Sequence, residues 1–181
     1  MTARGLEEFL GPFPHETTCR VIDWVKEEVK RQSGNTESED GKRSLLNTLH
    51  YLFESQNRGL AQAALGSVET LSFRGMTLTP IDCAVLAHVI GLCDTIKHLD
   101  LENCHIQCEG IQRLGPGLHK CQELRLRKVG LTDSGAEDLA SALSTTPSLT
   151  DLNMAVNSLT DRSVPALRRL ILALPDLELI R

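Results

Sequence analysis

Aromatic residues make up only 3% of this 181-residue chain, with one tryptophan, Trp24, and one tyrosine. A core built on large rings is therefore excluded, and the apolar content of 41% has to be packed from aliphatic side chains. No apolar run approaches the ~18 residues that would suggest a membrane-spanning helix. The opening residues, MTARGLEEFLGPF, lack the apolar stretch of a secretory signal. A net charge of −5, with both signs interspersed and no run of five like charges, argues against nucleic-acid or membrane-surface binding driven by bulk charge. Six cysteines occur without any Cys-x-x-Cys, and most fall at apolar positions of a periodic pattern. The expectation is reduced, buried thiols in a cytosolic (cytoplasmic) protein. Cys104, His105, Cys108 and Cys121 form the one grouping with metal-binding residue types. Their spacing matches no standard zinc site, and Cys104 and Cys121 already hold core positions, so no metal is expected. Neither G-x-S-x-G nor H-E-x-x-H occurs, and none of His15, His50, His88, His98, His105 and His119 has a nucleophile placed beside it by a known motif. Neither catalysis nor a cofactor is expected.

What is present is a repeat. Residues 96–106, IKHLDLENCHI, read L-x-x-L-x-L-x-x-C-x-L, with Ile96, Leu99, Leu101, Cys104 and Ile106 apolar. Leu99-x-Leu101 has the alternation of a short strand with one buried face. Cys104 sits where the chain turns inward and its sulfur can meet the turn's backbone. The pattern recurs as Val68…Leu71-x-Phe73…Met76-x-Leu78, Cys121…Leu124-x-Leu126…Val129-x-Leu131 and Leu149…Leu152-x-Met154…Asn157-x-Leu159. A fifth copy begins at Leu177-x-x-Ile180. The positions Leu71, Leu99, Leu124, Leu152 and Ile180 are separated by 28, 25, 28 and 28 residues. That period marks leucine-rich repeats: four full copies and the start of a fifth. The expected fold is α/β, a horseshoe with parallel strands on its concave face and helices on its convex face, preceded by an α-helical cap.

The division expected is residues 1–65 for the helical region and 66–181 for the repeats. Within the first, Leu6–Leu10 reads as a short helix stopped by Gly11-Pro12-Phe13-Pro14. Thr17–Arg31 reads as a helix with Trp24 as a core anchor. Residues 33–41, SGNTESEDG, read as a mobile loop. Leu45–Glu54 forms a second helix with Leu45, Leu46, Leu49, Leu52 and Phe53 on one face, and Leu60–Leu65 adds further helical turns. In the repeats, Thr79-Pro80-Ile81-Asp82 supplies a cap, a proline at the first helical position and an acid two residues on, ahead of inward Cys83, Leu86, Val89 and Ile90. Ser134-x-x-Glu137 reads as a second capping box, and Ser163-Val164-Pro165 starts a helix with Leu167, Leu170, Ile171 and Leu174 inward. Repeat two breaks the plan, since Gly115-Pro116-Gly117 must end its helix near Leu114 and leave an irregularity on the convex side.

A solenoid binds by default through its concave face. Strand alternation points Thr70, Ser72 and Arg74 outward from repeat one, and His98, Asp100 and Glu102 from repeat two. Repeat three presents Glu123, Arg125, Arg127 and Lys128, and repeat four Asp151, Asn153 and Ala155. Adjacent parallel strands lie about 4.8 Å apart. Asp100 should therefore pair with Arg125, and Glu102 with Arg127, leaving no large field of one sign. The partners implied are protein surfaces, with at most weak, non-specific binding of DNA or RNA.

Residues 131–161, LTDSGAEDLASALSTTPSLTDLNMAVNSLTD, resemble repeats of the ribonuclease-inhibitor class. Together with LLNTLHYLFESQN, where Leu46, Leu49, Leu52, Phe53, Glu54 and Gln56 match an "L-x-x-L-x-E-x-Q" helix, the chain resembles the junction of helical region and repeats in the NACHT–leucine-rich-repeat receptors (NLR), specifically their pyrin-containing branch. The resemblance covers roughly residues 43–181. It implies part of a cytosolic innate-immune, inflammasome-type sensor, whose repeats regulate the parent protein by autoinhibition or recognise a partner. The nucleotide site of that family lies in its NACHT domain, and no G-x-x-x-x-G-K-[ST] occurs here. The alternative is an inhibitor or direct ligand receptor acting through the concave face, as in ribonuclease inhibitor. Such an inhibitor of a basic enzyme calls for a long, strongly acidic face, which this chain lacks.

Overall fold

The computed structural model describes residues 15–34, 38–145 and 148–181. Three helices come first: α1 (His15–Gly34), α2 (Glu39–Glu54) and α3 (Arg58–Leu65). Five short strands then form one parallel sheet in chain order: β1 (Thr70–Ser72), β3 (Ile96–Asp100), β5 (Cys121–Arg125), β6 (Asp151–Asn153) and β7 (Leu179–Ile180). A second parallel pair joins β2 (Thr77–Leu78) to β4 (His105–Ile106). Between strands lie α4 (Pro80–Leu92), α5 (Cys108–Leu114), α6 (Asp133–Leu143) and α7 (Val164–Ala173). The sheet register is the sequence repeat made physical: Leu71 pairs with Leu99, Leu99 with Leu124, Leu124 with Leu152, and Leu152 with Ile180. Leu71, Leu99, Leu124 and Leu152 are all fully buried, as are Phe73, Leu101 and Leu126 two residues on. The core is thus a ladder of like side chains, each layer closing the apolar face of the last.

The ladder outruns the strands. In each complete repeat the fourth residue beyond the first buried leucine of the strand adopts a left-handed backbone: Gly75 (φ 80), Asn103 (φ 59), Lys128 (φ 55) and Val156 (φ 59). The N–H groups of Gly75, Asn103 and Lys128 donate to the carbonyls of Glu102, Arg127 and Ala155 in the next repeat, at 3.0, 2.9 and 3.1 Å. The inward turn that follows is closed by whatever occupies the Asn/Cys column. Cys104 Sγ donates to the Phe73 carbonyl at 3.0 Å. Asn157 does more, accepting the N–H groups of Val129 and Leu131 on Oδ1 and donating Nδ2 to the Leu126 and Met154 carbonyls.

Caps set the helix boundaries. At α4 the box is complete: Thr79 Oγ1 accepts from the Asp82 N–H, and Asp82 Oδ2 accepts from the Thr79 N–H at 2.8 Å. Repeat two ends its helix at Leu114 as the proline demands, and the chain continues as a 3-10 turn over Gly115–Lys120.

Five expectations need correction. Most of the segment 33–41 is not a loop. α1 runs to Gly34, and Ser38 caps α2 by accepting the Gly41 N–H, with Glu39 and Asp40 in the first turn where the helix dipole favours acids. Only 35–37 lie outside the described residues here; the Leu6–Leu10 helix also lies outside them. Trp24 is no core anchor, being 67% exposed. Val25, Val29 and Gln32, spaced four and three apart, form the inner stripe of α1, and Trp24 is rotated about 100° away from Val25. Phe53 is 39% exposed, at the margin of the apolar face of α2, and packs edge-on against His88 with ring centroids 5.1 Å apart. The α6 cap is Thr132 rather than Ser134, its hydroxyl accepting the Gly135 N–H, so Glu137 is free to reach Arg169 on α7. Ala166 and Leu170 in α7 and Leu174 just after it are buried, but Ile171 is 50% exposed.

Candidate functional site: the open face of the sheet

The alternate residues of the strands line the face that carries no helix. Thr70, His98, Glu123 and Asp151 form one row across the sheet, and Ser72, Asp100, Arg125 and Asn153 the next. Beyond the strand ends lie Arg74, Glu102, Arg127 and Ala155. The centre is Glu102, whose side chain is only 12% exposed. One carboxylate oxygen accepts from Arg127 at 2.6 Å and forms an ion pair with Arg74 at 3.0 Å, so a single acid joins three successive repeats. The Arg127–Glu102 pair is the one expected from the repeat spacing. The Asp100–Arg125 pair does not form, although the two residues are register partners. Asp100 Oδ1 instead accepts the Glu102 N–H at 2.9 Å, closing a local turn, and Asn153 treats the Ala155 N–H in the same way at 3.0 Å. Arg125 leans back along its own strand to Glu123 at 3.7 Å. Glu123 also meets His98 Nδ1 at 2.7 Å. Lys128 is exposed at its left-handed turn, and the Lys42 ammonium, arriving from α2, donates to the Arg74 carbonyl at 2.6 Å.

The face is therefore zoned rather than evenly mixed. Glu123 and Asp151 sit side by side at the strand starts. Arg74, Arg125, Arg127 and Lys128 gather toward the strand ends, with Glu102 in their midst. Alternation along the strands accounts for the two rows of register partners, Thr70 to Asp151 and Ser72 to Asn153. It missed the His98–Glu123 contact and the left-handed column, although Gly75 and Asn103 in that column carry the signal.

Titration chemistry lies elsewhere. Burial pushes Cys83, Cys93 and Cys121 up to about 12 and Cys104 up to about 11, so these thiols are unreactive packing groups. Cys108 is exposed. Among the described residues no three His, Cys, Asp or Glu side chains are grouped to hold a metal ion. Burial by itself would raise the Asp82 carboxyl, but the Thr79 N–H, the Thr79 hydroxyl and His50 together outweigh it and hold the group below the usual carboxylate range. His50 Nε2 lies 2.7 Å from Asp82 Oδ1, tying α2 to the first turn of α4. The Thr160 hydroxyl and N–H similarly hold Asp133 low, clipping the start of α6 to the next repeat.

A parallel sheet of matched strands, a layer of capped helices and a buried leucine ladder define a leucine-rich-repeat protein. No protein-family model matches the chain. The chain is 30% identical over 125 residues to NLR family member X1 of Rattus norvegicus, covering 68% of this chain and 13% of that protein. It is 29% identical over 106 residues to the NACHT, LRR and PYD domains-containing protein 1 homolog of Danio rerio, covering 59% and 8%. Ribonuclease inhibitor of Sus scrofa is 32% identical over 108 residues, covering 58% of this chain and 24% of the inhibitor. Among solved structures, the tropomodulin C-terminal domain of Caenorhabditis elegans superposes with a TM-score of 0.53 at 16% identity, over 84% of this chain and 92% of that one, a likeness of fold alone. The repeats are thus similar to those of the NLR proteins and of ribonuclease inhibitor, at about 30% identity over more than half of the chain. The chain spans a small part of the length of each of these curated relatives.

Proposed function

We propose that this chain is a non-catalytic protein-interaction domain of an NLR-type, inflammasome-class sensor in the cytoplasm, regulating the parent protein or recognising a partner through its open sheet face. The observation that carries the reading is Glu102 bridging Arg74 and Arg127 across three repeats. A charged network held in place before any partner arrives is the pre-organised surface that specific recognition needs. In this reading the stack curves as a horseshoe with the open face concave, residues 1–65 cap its first repeat, and residues 66–181 carry the recognition surface. Support for the cap comes from the complete burial of Leu45, Leu49 and Leu65 and from the His50–Asp82 contact that locks α2 to repeat one. No described helix is long and apolar enough to cross a membrane.

The test is photocrosslinking in cells from a probe at Ser72 or Asn153. Protein adducts that disappear with Arg127→Glu support the reading. Nucleic-acid adducts, or duplex binding at about 150 mM salt that is lost with Arg125→Glu, overturn it. Inhibitor action is a separate reading, favoured by the ribonuclease-inhibitor relationship. Added to pancreatic-type ribonuclease, the chain is expected to leave turnover unchanged, and stoichiometric inhibition would transfer the assignment to an inhibitor.

A further inference from the structure

The irregularity of repeat two opens a second surface, on the helix side. Gly117 lies so close to α4 that a Cβ there would stand 2.5 Å from the Ala87 Cα and carbonyl oxygen. The 3-10 turn over Gly115–Lys120 therefore rests directly on α4, where a full outer helix would need more room. A groove of about 800 Å³ follows the outer face of α4, between the α2–α3 corner on one side and the α5–turn segment on the other. Its floor is small and apolar at Ala84 and Gly91, with Ala87 largely covered by the turn, and Phe53 and Pro116 also line it. Small floor residues permit close approach of a second backbone, and the volume falls within the range of specific binding sites.

Its charge is one-sided. The chain as a whole carries 24 acids against 19 bases, yet none of the described lining residues is a carboxylate. The cationic and ionisable lining residues are Arg58, His88, Arg113 and His119. Arg113 is paired with Glu109 at 2.7 Å, just outside the lining, and His119 Nδ1 donates to the Pro116 carbonyl at 2.8 Å. Arg58 stands at the first turn of α3 on the rim. We infer that this groove is a docking site for an acidic amphipathic helix of a partner protein. Apolar side chains two turns apart would rest on Ala84 and Gly91 beside Phe53, and flanking carboxylates would meet Arg58 and a ring N–H of His88. This is the helix-in-groove mode of recognition, on a surface separate from the open sheet face.

The probe is a synthetic helical peptide with leucines at i, i+3, i+4 and i+7 and glutamates on the flanks, set against a copy with lysine in place of every glutamate. It is titrated into the isotopically labelled full chain and followed by amide chemical shifts. The expected result is saturable shifts at Ala84, His88 and Gly91 with the glutamate peptide only. Arg58→Glu should weaken binding about tenfold, the loss of one charge-assisted contact. That substitution places an acid in the first turn of α3, which the helix dipole tolerates, and Ala84→Arg serves as a second variant that fills the floor. Shifts confined to Arg125, Arg127 and their neighbours, equal binding of the lysine peptide, or no saturable shift at all each overturn the inference.

Discussion

Asp82 performs two tasks with one carboxylate. It closes the capping box with Thr79 and accepts the contact from His50, and the residue is 8% exposed. Asp82→Asn is expected to cost about 1–2 kcal/mol, the scale of a lost cap with a buried polar contact. Its folded-state pKa is depressed, so its stabilisation is present above the unfolded value of about 3.9 and is lost as pH falls through the folded one. The gap in denaturant midpoint between wild type and Asp82→Asn should therefore narrow as pH falls from neutral toward about 3; an equal gap at both would refute the role. Val156 offers the opposite case. It is β-branched, 61% exposed and held at φ 59, where a side chain of its shape is strained. Val156→Gly should raise stability by roughly 1 kcal/mol, because the left-handed backbone costs about that for a residue with a Cβ. A lower melting temperature for this variant would contradict the strained turn.

At the scale of the element, the 3-10 turn of repeat two depends on its glycines. Gly117→Ala pushes a methyl group into the α4 backbone, which cannot give way as a flexible side chain would. A loss of about 1–3 kcal/mol is expected, as for overpacking elsewhere. Gly91→Ala makes a fair control, since its added Cβ meets only His119 Cε1 at 4.0 Å. Strand positions and their inward residues were legible in the sequence because a period-2 pattern repeated at fixed spacing leaves one register. Helix ends were less legible. The polar run 33–41 combines the end of one helix with the cap of the next, and composition alone reads both as loop. Trp24 was misread for a related reason: size suggests burial, but Val25, Val29 and Gln32 decide which stripe of α1 faces in. On the open face, placement followed from alternation, whereas pairing did not. Asp100 and Asn153 bond their own turns, a local choice that wins over a solvent-exposed ion pair worth about 0–1 kcal/mol.

For the molecule as a whole, the first repeat is the weak boundary. Leu49 is fully buried between the helical region and the repeats, and Leu49→Ala is expected to cost about 2–5 kcal/mol. A chain beginning at Ala64 should lose its cooperative thermal transition, and retention of that transition would show that the repeats stand without α1 and α2. The stacking of repeats has a mechanical side as well. The main-chain bonds of the sheet, and of the left-handed ladder beyond it, run along the stack between neighbouring repeats, some donated forward, as from Phe73 to Asp100, and some back, as from Thr150 to Gln122. Tension between residues 70 and 181 would load those bonds along their length, peeling rows one after another instead of shearing them together. Each 25- or 28-residue unit set free would lengthen the tether by about 80–100 Å, so under a pulling force this domain should pay out in nearly even steps, the shortest from repeat two, as a spring with a counted number of coils.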